Sequence, residues 1–134
     1  MKYICLGYME EKAWDTMSES ERNNFLDECF AYDDVLRENG HFIGGKALQE
    51  ARTATTIRFR NGRVSVTDGP FAETKEQLGG IMILEATDLN HAIQLISRHP
   101  SLRLGSGPWE IRPAADLSEM VAESEKRRRA KIRA

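Results

Sequence analysis

The chain has 134 residues, 40% hydrophobic and 30% charged, with only four prolines and ten glycines, which fits one globular domain and excludes a disordered or low-complexity chain. The formal net charge is −2, with six Lys/Arg against four acids from Asp116 onward. The body is therefore acidic, and nucleic acid is not an expected partner.

The chain begins MKYICLGYMEEK, and its apolar run stops at Glu10, too short for the apolar region of a signal peptide. No later segment is apolar enough to span a bilayer, so a cytoplasmic location without a membrane partner is expected. KYICLGY has the β-branched, aromatic and aliphatic content of a buried strand, with little alternation. A helix starts at Ser18, which with Glu21 forms an S-x-x-E capping box. Phe25, Cys29, Tyr32 and Leu36 give this helix one apolar face, and Asn39–Gly40 stops it. Cys5 and Cys29 have neither metal nor redox spacing and are expected as reduced core side chains. HFIGGKAL reads as an extended segment interrupted by Gly44–Gly45.

In TTIRFRNGRVSVTDG, two alternating runs flank Asn61–Gly62, the pattern of a hairpin with a type I′ turn. GGIMILEA is another buried strand. Asp88 can cap a second helix with Leu89, Ala92, Ile93 and Ile96 inward, ending at Pro100. WEIRP is a short last strand, with Trp109 and Ile111 toward the helices and Glu110 and Arg112 toward the open side of the sheet. In the tail, Leu117, Met120, Val121 and Ser124 recur at helical spacing ahead of EKRRRAKIRA. This predicts a helix docked by its first two turns with a solvated basic end. The order is that of an α+β, ferredoxin-like split βαβ fold with an inserted hairpin, over residues 1–115, followed by a basic helical tail over 116–134. Strands apolar on both sides call for a cover on the open face, and a second copy is the simplest one, so a homodimer is expected.

The stretch TDGPFAETKEQLGG, Thr67–Gly80, is too polar for core and too rich in conformationally special residues for an idle loop. Asp68–Gly69 turns the chain, and Pro70 fixes its own φ and restricts Gly69, so Phe71 is aimed rather than free. Thr74 and Gln77 match a capping box, which predicts one short helical turn over KEQL. The stretch resembles the signature of the DGPF branch of the YCII-related proteins. The likeness continues in KYICLGY, GGKAL, TATTIR, SRHP and WEIRP, over roughly residues 1–113. The resemblance implies a ferredoxin-like fold paired into a dimeric α/β barrel. It also implies a cleft holding an aspartate and a histidine, matched here by Asp68 and His99.

A carboxylate accepting from one imidazole nitrogen fixes the tautomer and raises the basicity of the other, which makes Asp68 and His99 the candidate catalytic pair. The plain structural alternative has Asp68 shaping its turn and His99 ending its helix. Phe71, Glu73 beside the stiff turn, and Arg112 are the candidate substrate-binding residues. Arg112 serves either as a clamp for an anion or as a pair for an acid across the dimer. The stretch as a whole is expected to form one wall of the cleft. His41, His91 and His99 have no metal spacing, and neither the double glycines nor GSGP at Gly105–Pro108 matches a nucleotide-binding loop. No metal or cofactor is therefore expected. The functional expectation is a small-molecule enzyme of lyase, isomerase or hydrolase type running on Asp–His proton transfer. Its alternative is a non-catalytic ligand-binding or regulatory module using the same cleft.

Overall fold

A computed structural model of the chain describes residues 1–104 and 107–133; the Gly105–Ser106 half of GSGP lies outside them. Strand β1 (Lys2–Met9) buries Tyr3 and Cys5 and leaves Ile4 and Leu6 half-buried, the period-two division of a strand whose two faces meet different surroundings. A one-and-a-half-turn helix, α1 (Glu11–Thr16), follows; no apolar periodicity marks it in the sequence. Helix α2 (Glu19–Glu38) starts with the reciprocal Ser18–Glu21 capping box and buries Cys29 and Leu36. Strand β2 (Phe42–Ala47) leads through a 3₁₀ turn at Ala51–Thr53 into a hairpin of β3 (Thr55–Arg60) and β4 (Arg63–Asp68). Asn61 and Gly62 take φ values of 52° and 75° at its tip, the two positive angles of a type I′ turn. Strand β5 (Gln77–Glu85), helix α3 (Leu89–Ser97), the single turn α4 (Ser101–Leu104), strand β6 (Trp109–Pro113) and helix α5 (Ser118–Arg133) complete the chain.

The main sheet has the order β2-β5-β1-β6 with every pair antiparallel, and β3–β4 form a separate two-stranded sheet. This is the α+β split βαβ arrangement with an inserted hairpin and an added C-terminal helix. One face of the main sheet carries the core, where Tyr3, Cys5, Met82 and Leu84 meet Leu36, Ala92, Leu95 and Ile96. Burying side chains such as Leu36 and Leu84 stabilises the fold by about 1.5–3 kcal/mol each.

Three local expectations are corrected. KEQL is not a helical turn: Gln77 pairs with Met9 as the first residue of β5, and strand pairing outweighs the local capping signal. Thr74 and Gln77 instead satisfy each other's neighbourhood, with Gln77 Nε2 donating to the Thr74 carbonyl at 2.7 Å. In α3 the inward stripe is Ala92, Leu95 and Ile96, while Leu89 and Ile93 are exposed; Ala92 and Ile96 face inward as expected, and Leu95 takes the place given to Leu89 and Ile93. The first turns of α5 do not dock, and Leu117, Met120 and Val121 all stand in solvent. Three apolar side chains ahead of a long charged run give that helix no stripe wide enough to bury.

Candidate functional site

Two polar residues occupy positions that the helical periodicity reserves for core. On α2, Asp33 lies four residues after buried Cys29 and three before buried Leu36, on the inward face. On the other side, Ala92, Leu95, Ile96 and then His99 continue one stripe past the end of α3, and His99 is only 5% exposed. The two helices pack over the same sheet face, so their side chains converge. His99 Nε2 stands 3.4 Å from Asp33 Oδ1.

The rest of the ring is held by α4 and β6. The Ser101 backbone N–H donates to His99 Nδ1 at 3.2 Å, and Ser101 Oγ lies 2.8 Å from the same nitrogen. An atom that accepts from a backbone N–H carries no proton in the neutral ring, so the Ser101 hydroxyl also donates to Nδ1. The Trp109 indole N–H in turn donates to Ser101 Oγ at 2.7 Å. This chain assigns the neutral ring its proton on Nε2, pointed at Asp33. The ring is further packed by Trp109 at 4.9 Å between centroids and by the Tyr32 ring, edge-on, at 5.7 Å.

At 3.4 Å the Nε2–Oδ1 contact is an electrostatic pairing longer than a hydrogen bond. Asp33 Oδ1 is buried and has no hydrogen-bond partner among the described residues. Leaving a buried acceptor short of a donor costs about 1–3 kcal/mol, and such groups gather where a protein uses them. Asp33 and His99 line a cleft of about 410 Å³ between α2 and the sheet, together with Phe25, Leu26, Phe42, Met82 and Trp109. Glycines line its floor where other groups approach closely. A Cβ on Gly7 would lie 3.0 Å from the Trp109 ring, so Gly7 lets the indole lie flat across β1 and reach Ser101. The β1–β5 register shifts at this point, between Gly7 and Tyr8.

Cys29 also lines the cleft. Burial, with the charges of Asp33 and Glu28, pushes its thiol up to about 11 from an ordinary 9.0, so it stays protonated and is a poor nucleophile. Cys5 is pushed up to about 11 by burial alone. Among the described residues, no three His, Cys, Asp or Glu side chains converge to hold a metal, and no helix is long and apolar enough to cross a membrane.

The expected Asp68–His99 pair is corrected. Asp68 stands exposed at the end of β4, opposite Thr55 in the hairpin, whereas His99 is buried on the core face of the main sheet with Asp33 as its carboxylate. The turn after Asp68 is held by backbone: Gly69 N–H donates to the Ala54 carbonyl at 2.7 Å, and the Thr56 hydroxyl donates to the Gly69 carbonyl at 2.7 Å. Phe71 and Glu73 are exposed, and Arg58 donates to the Phe71 carbonyl at 2.9 Å. Pro70, Phe71, Ala72 and Leu78 line a second cleft of about 530 Å³ that includes neither Asp68 nor His99. Arg112 pairs with Glu110 at 2.7 Å on its own strand, and the Tyr8 hydroxyl donates to the same carboxylate at 3.1 Å. Those two hydrogen bonds, Arg112's the larger, hold the Glu110 carboxyl below its ordinary range. Asp33, Ser101 and the indole of Trp109 were not singled out from sequence. The available signal was a carboxylate set inside the α2 apolar stripe.

The family model of the YCII-related domain matches residues 1–118. An uncharacterised protein of Rhizobium meliloti (strain 1021) is 30% identical over 115 residues, spanning 86% of this chain and 93% of that one. Among solved structures, the chain is similar to the 5-chloro-2-hydroxyhydroquinone dehydrochlorinase from Burkholderia phenoliruptrix AC1100 in complex with 2,5-dihydroxybenzoquinone. The TM-score is 0.50 at 13% identity, covering 86% of this chain and 94% of that one, a likeness of fold.

Proposed function

The chain belongs to the YCII-related family, and we propose that it is a small-molecule enzyme in which Asp33 accepts a proton from a bound substrate. The observation that carries this is Asp33, which lines an apolar cleft while its Oδ1 is buried without a hydrogen-bond partner 3.4 Å from His99 Nε2. The roles follow from the hydrogen bonds. With its proton on Nε2 and Nδ1 taken by Ser101, the neutral His99 ring is a donor, not a base. The Asp33 carboxylate is the base, and the Nε2–H steadies negative charge that develops close by. The lining suits a compact, mostly apolar molecule, and the carboxylate suits one carrying an acidic O–H of the phenol or enol kind. Proton removal from such a group initiates elimination or isomerisation on the substrate itself. That a dehydrochlorinase with a hydroxylated ring compound bound uses the same fold supports the reading.

One observation favours the binding-module alternative: the His99 ring is held by Ser101 at Nδ1 and packed between Tyr32 and Trp109, which suits a fixed recognition element as well as a reacting one. Both versions require Asp33 to recognise an acidic O–H. Melting curves with phenol, cyclohexanol and toluene test that common requirement, because a ligand of the folded state raises the melting temperature. The expected order of stabilisation is phenol, then cyclohexanol, then toluene. Equal shifts for phenol and toluene, or no shift with phenol, would contradict it.

The assembly we propose is a homodimer. Ile4 pairs with Ile83 and Leu6 with Ile81 across β1 and β5. By the alternation of the pleat these four lie on the face turned away from the core, and a second copy supplies their cover.

A further inference from the structure

The β3–β4 hairpin is hydrogen-bonded to no other strand among the described residues, and one of its faces is apolar from the tip down to the Thr55–Asp68 pair at its base. Ile57 pairs with Val66 and Phe59 with Val64, and these four side chains are 68%, 63%, 74% and 66% exposed in that order. Together they present on the order of 400 Å² of apolar surface, at the size where a soluble protein's patch marks an interaction site. A two-stranded hairpin on its own is marginally stable in water, so this face calls for an occupant. Its tip adds a charge requirement. The hairpin, Thr55–Asp68, holds Arg58, Arg60 and Arg63 against a single acid, Asp68, at the end far from the tip. Arg60 and Arg63 face each other across the last pair of the ladder, and neither forms an ion pair among the described residues. Like charges directly opposite are unfavourable and are relieved by an acid from outside.

A surface with the complementary character lies at the second cleft, where exposed Phe71 and Leu48 join Tyr8 and Leu78 and the lining includes Glu50 and Glu76. Glu76 also makes no ion pair among the described residues. We infer that the hairpin is an intermolecular arm: its apolar face and arginine tip seat on the second cleft of another copy of this chain. A stable dimer covers about 800 Å² on each partner, more than the hairpin patch alone provides. A twofold exchange, in which each copy gives an arm and receives one, doubles the contribution and satisfies both surfaces at once. This rests on the two-copy assembly proposed above and adds to its sheet-face contact a second one made by the hairpin.

Sedimentation velocity on the full chain tests it. Wild type is expected near twice 15.2 kDa. The Ile57→Ser/Phe59→Ser variant, altered only at exposed side chains, is expected to keep its circular dichroism while its dimer dissociation constant rises at least about 100-fold. A charge-reversal pair locates the seat: Glu76→Arg weakens the dimer, and adding Arg63→Glu to it restores association. A wild type of 15.2 kDa overturns the two-copy assembly and the arm with it. A dimeric wild type whose hairpin variant stays dimeric overturns the arm alone, and failure of Arg63→Glu to rescue Glu76→Arg overturns the seat.

Discussion

Replacing Asp33 with asparagine is expected to weaken phenol binding at least about tenfold, while the melting temperature stays level or rises. The two effects have one cause. In the proposed complex the Asp33 carboxylate accepts a charge-assisted hydrogen bond from the ligand O–H, an interaction whose loss is worth about 1.5–3 kcal/mol. In the absence of that donor, the same oxygen is buried without a partner and near a neutral imidazole, which costs stability. Asparagine keeps the shape and removes the charge, so the folded protein gains what the ligand loses. Titration calorimetry with phenol and a melting curve on the same sample read both quantities. A fall in melting temperature with phenol affinity unchanged would make Asp33 a structural residue.

The largest structural effect is expected at Gly107. A Cβ added there would lie 1.9 Å from the Tyr8 carbonyl oxygen and 3.1 Å from its carbonyl carbon. These are backbone atoms, fixed by the Tyr8 N–H donating to the Pro108 carbonyl at 3.0 Å, so no rotamer change relieves the overlap. Gly107→Ala therefore has to move β6 away from the end of β1, at a cost of about 3 kcal/mol or more. Because Trp109 is two residues on and bonds Ser101, the same shift loosens His99. Chemical denaturation is expected to show the lost stability, and fluorescence of the protein's tryptophans to show a more exposed indole. A variant as stable as wild type would mean that β6 does not clamp the site.

The fold was legible because its signals are local and mutually consistent. The Ser18–Glu21 box, the Asn61–Gly62 turn, the Asp88 cap and the apolar strands each specify an element, and their order specifies the split βαβ topology. What was not legible was pairing in space. Asp68 drew attention through its rigid, unusual surroundings, yet the hairpin it ends belongs to a separate sheet. Asp33 sat in a run of polar helical residues, and its meaning depends on a 3.4 Å approach across 66 positions of chain. The same limit applies to His99: its place in the stripe of Ala92, Leu95 and Ile96 was visible in the spacing, but its partner was not. Helical periodicity applied to polar residues would have narrowed the field, since an acid at a core position needs a compensating group. The tail erred in the opposite direction. Its few apolar residues fit a helical face, but periodicity alone does not provide a surface for that face to meet.

The assignment of Asp33 as acceptor and His99 as donor depends on which ring nitrogen carries the proton, and a long-range ¹H–¹⁵N correlation spectrum of the uniformly labelled protein at neutral pH reads it directly. The Ser101 contacts predict that His99 is protonated on Nε2 with a bare Nδ1, in wild type and in Asp33→Asn alike, and that Ser101→Ala blurs the preference. A His99 ring protonated on Nδ1 would reverse the roles, making the histidine the base, and would contradict the mechanism.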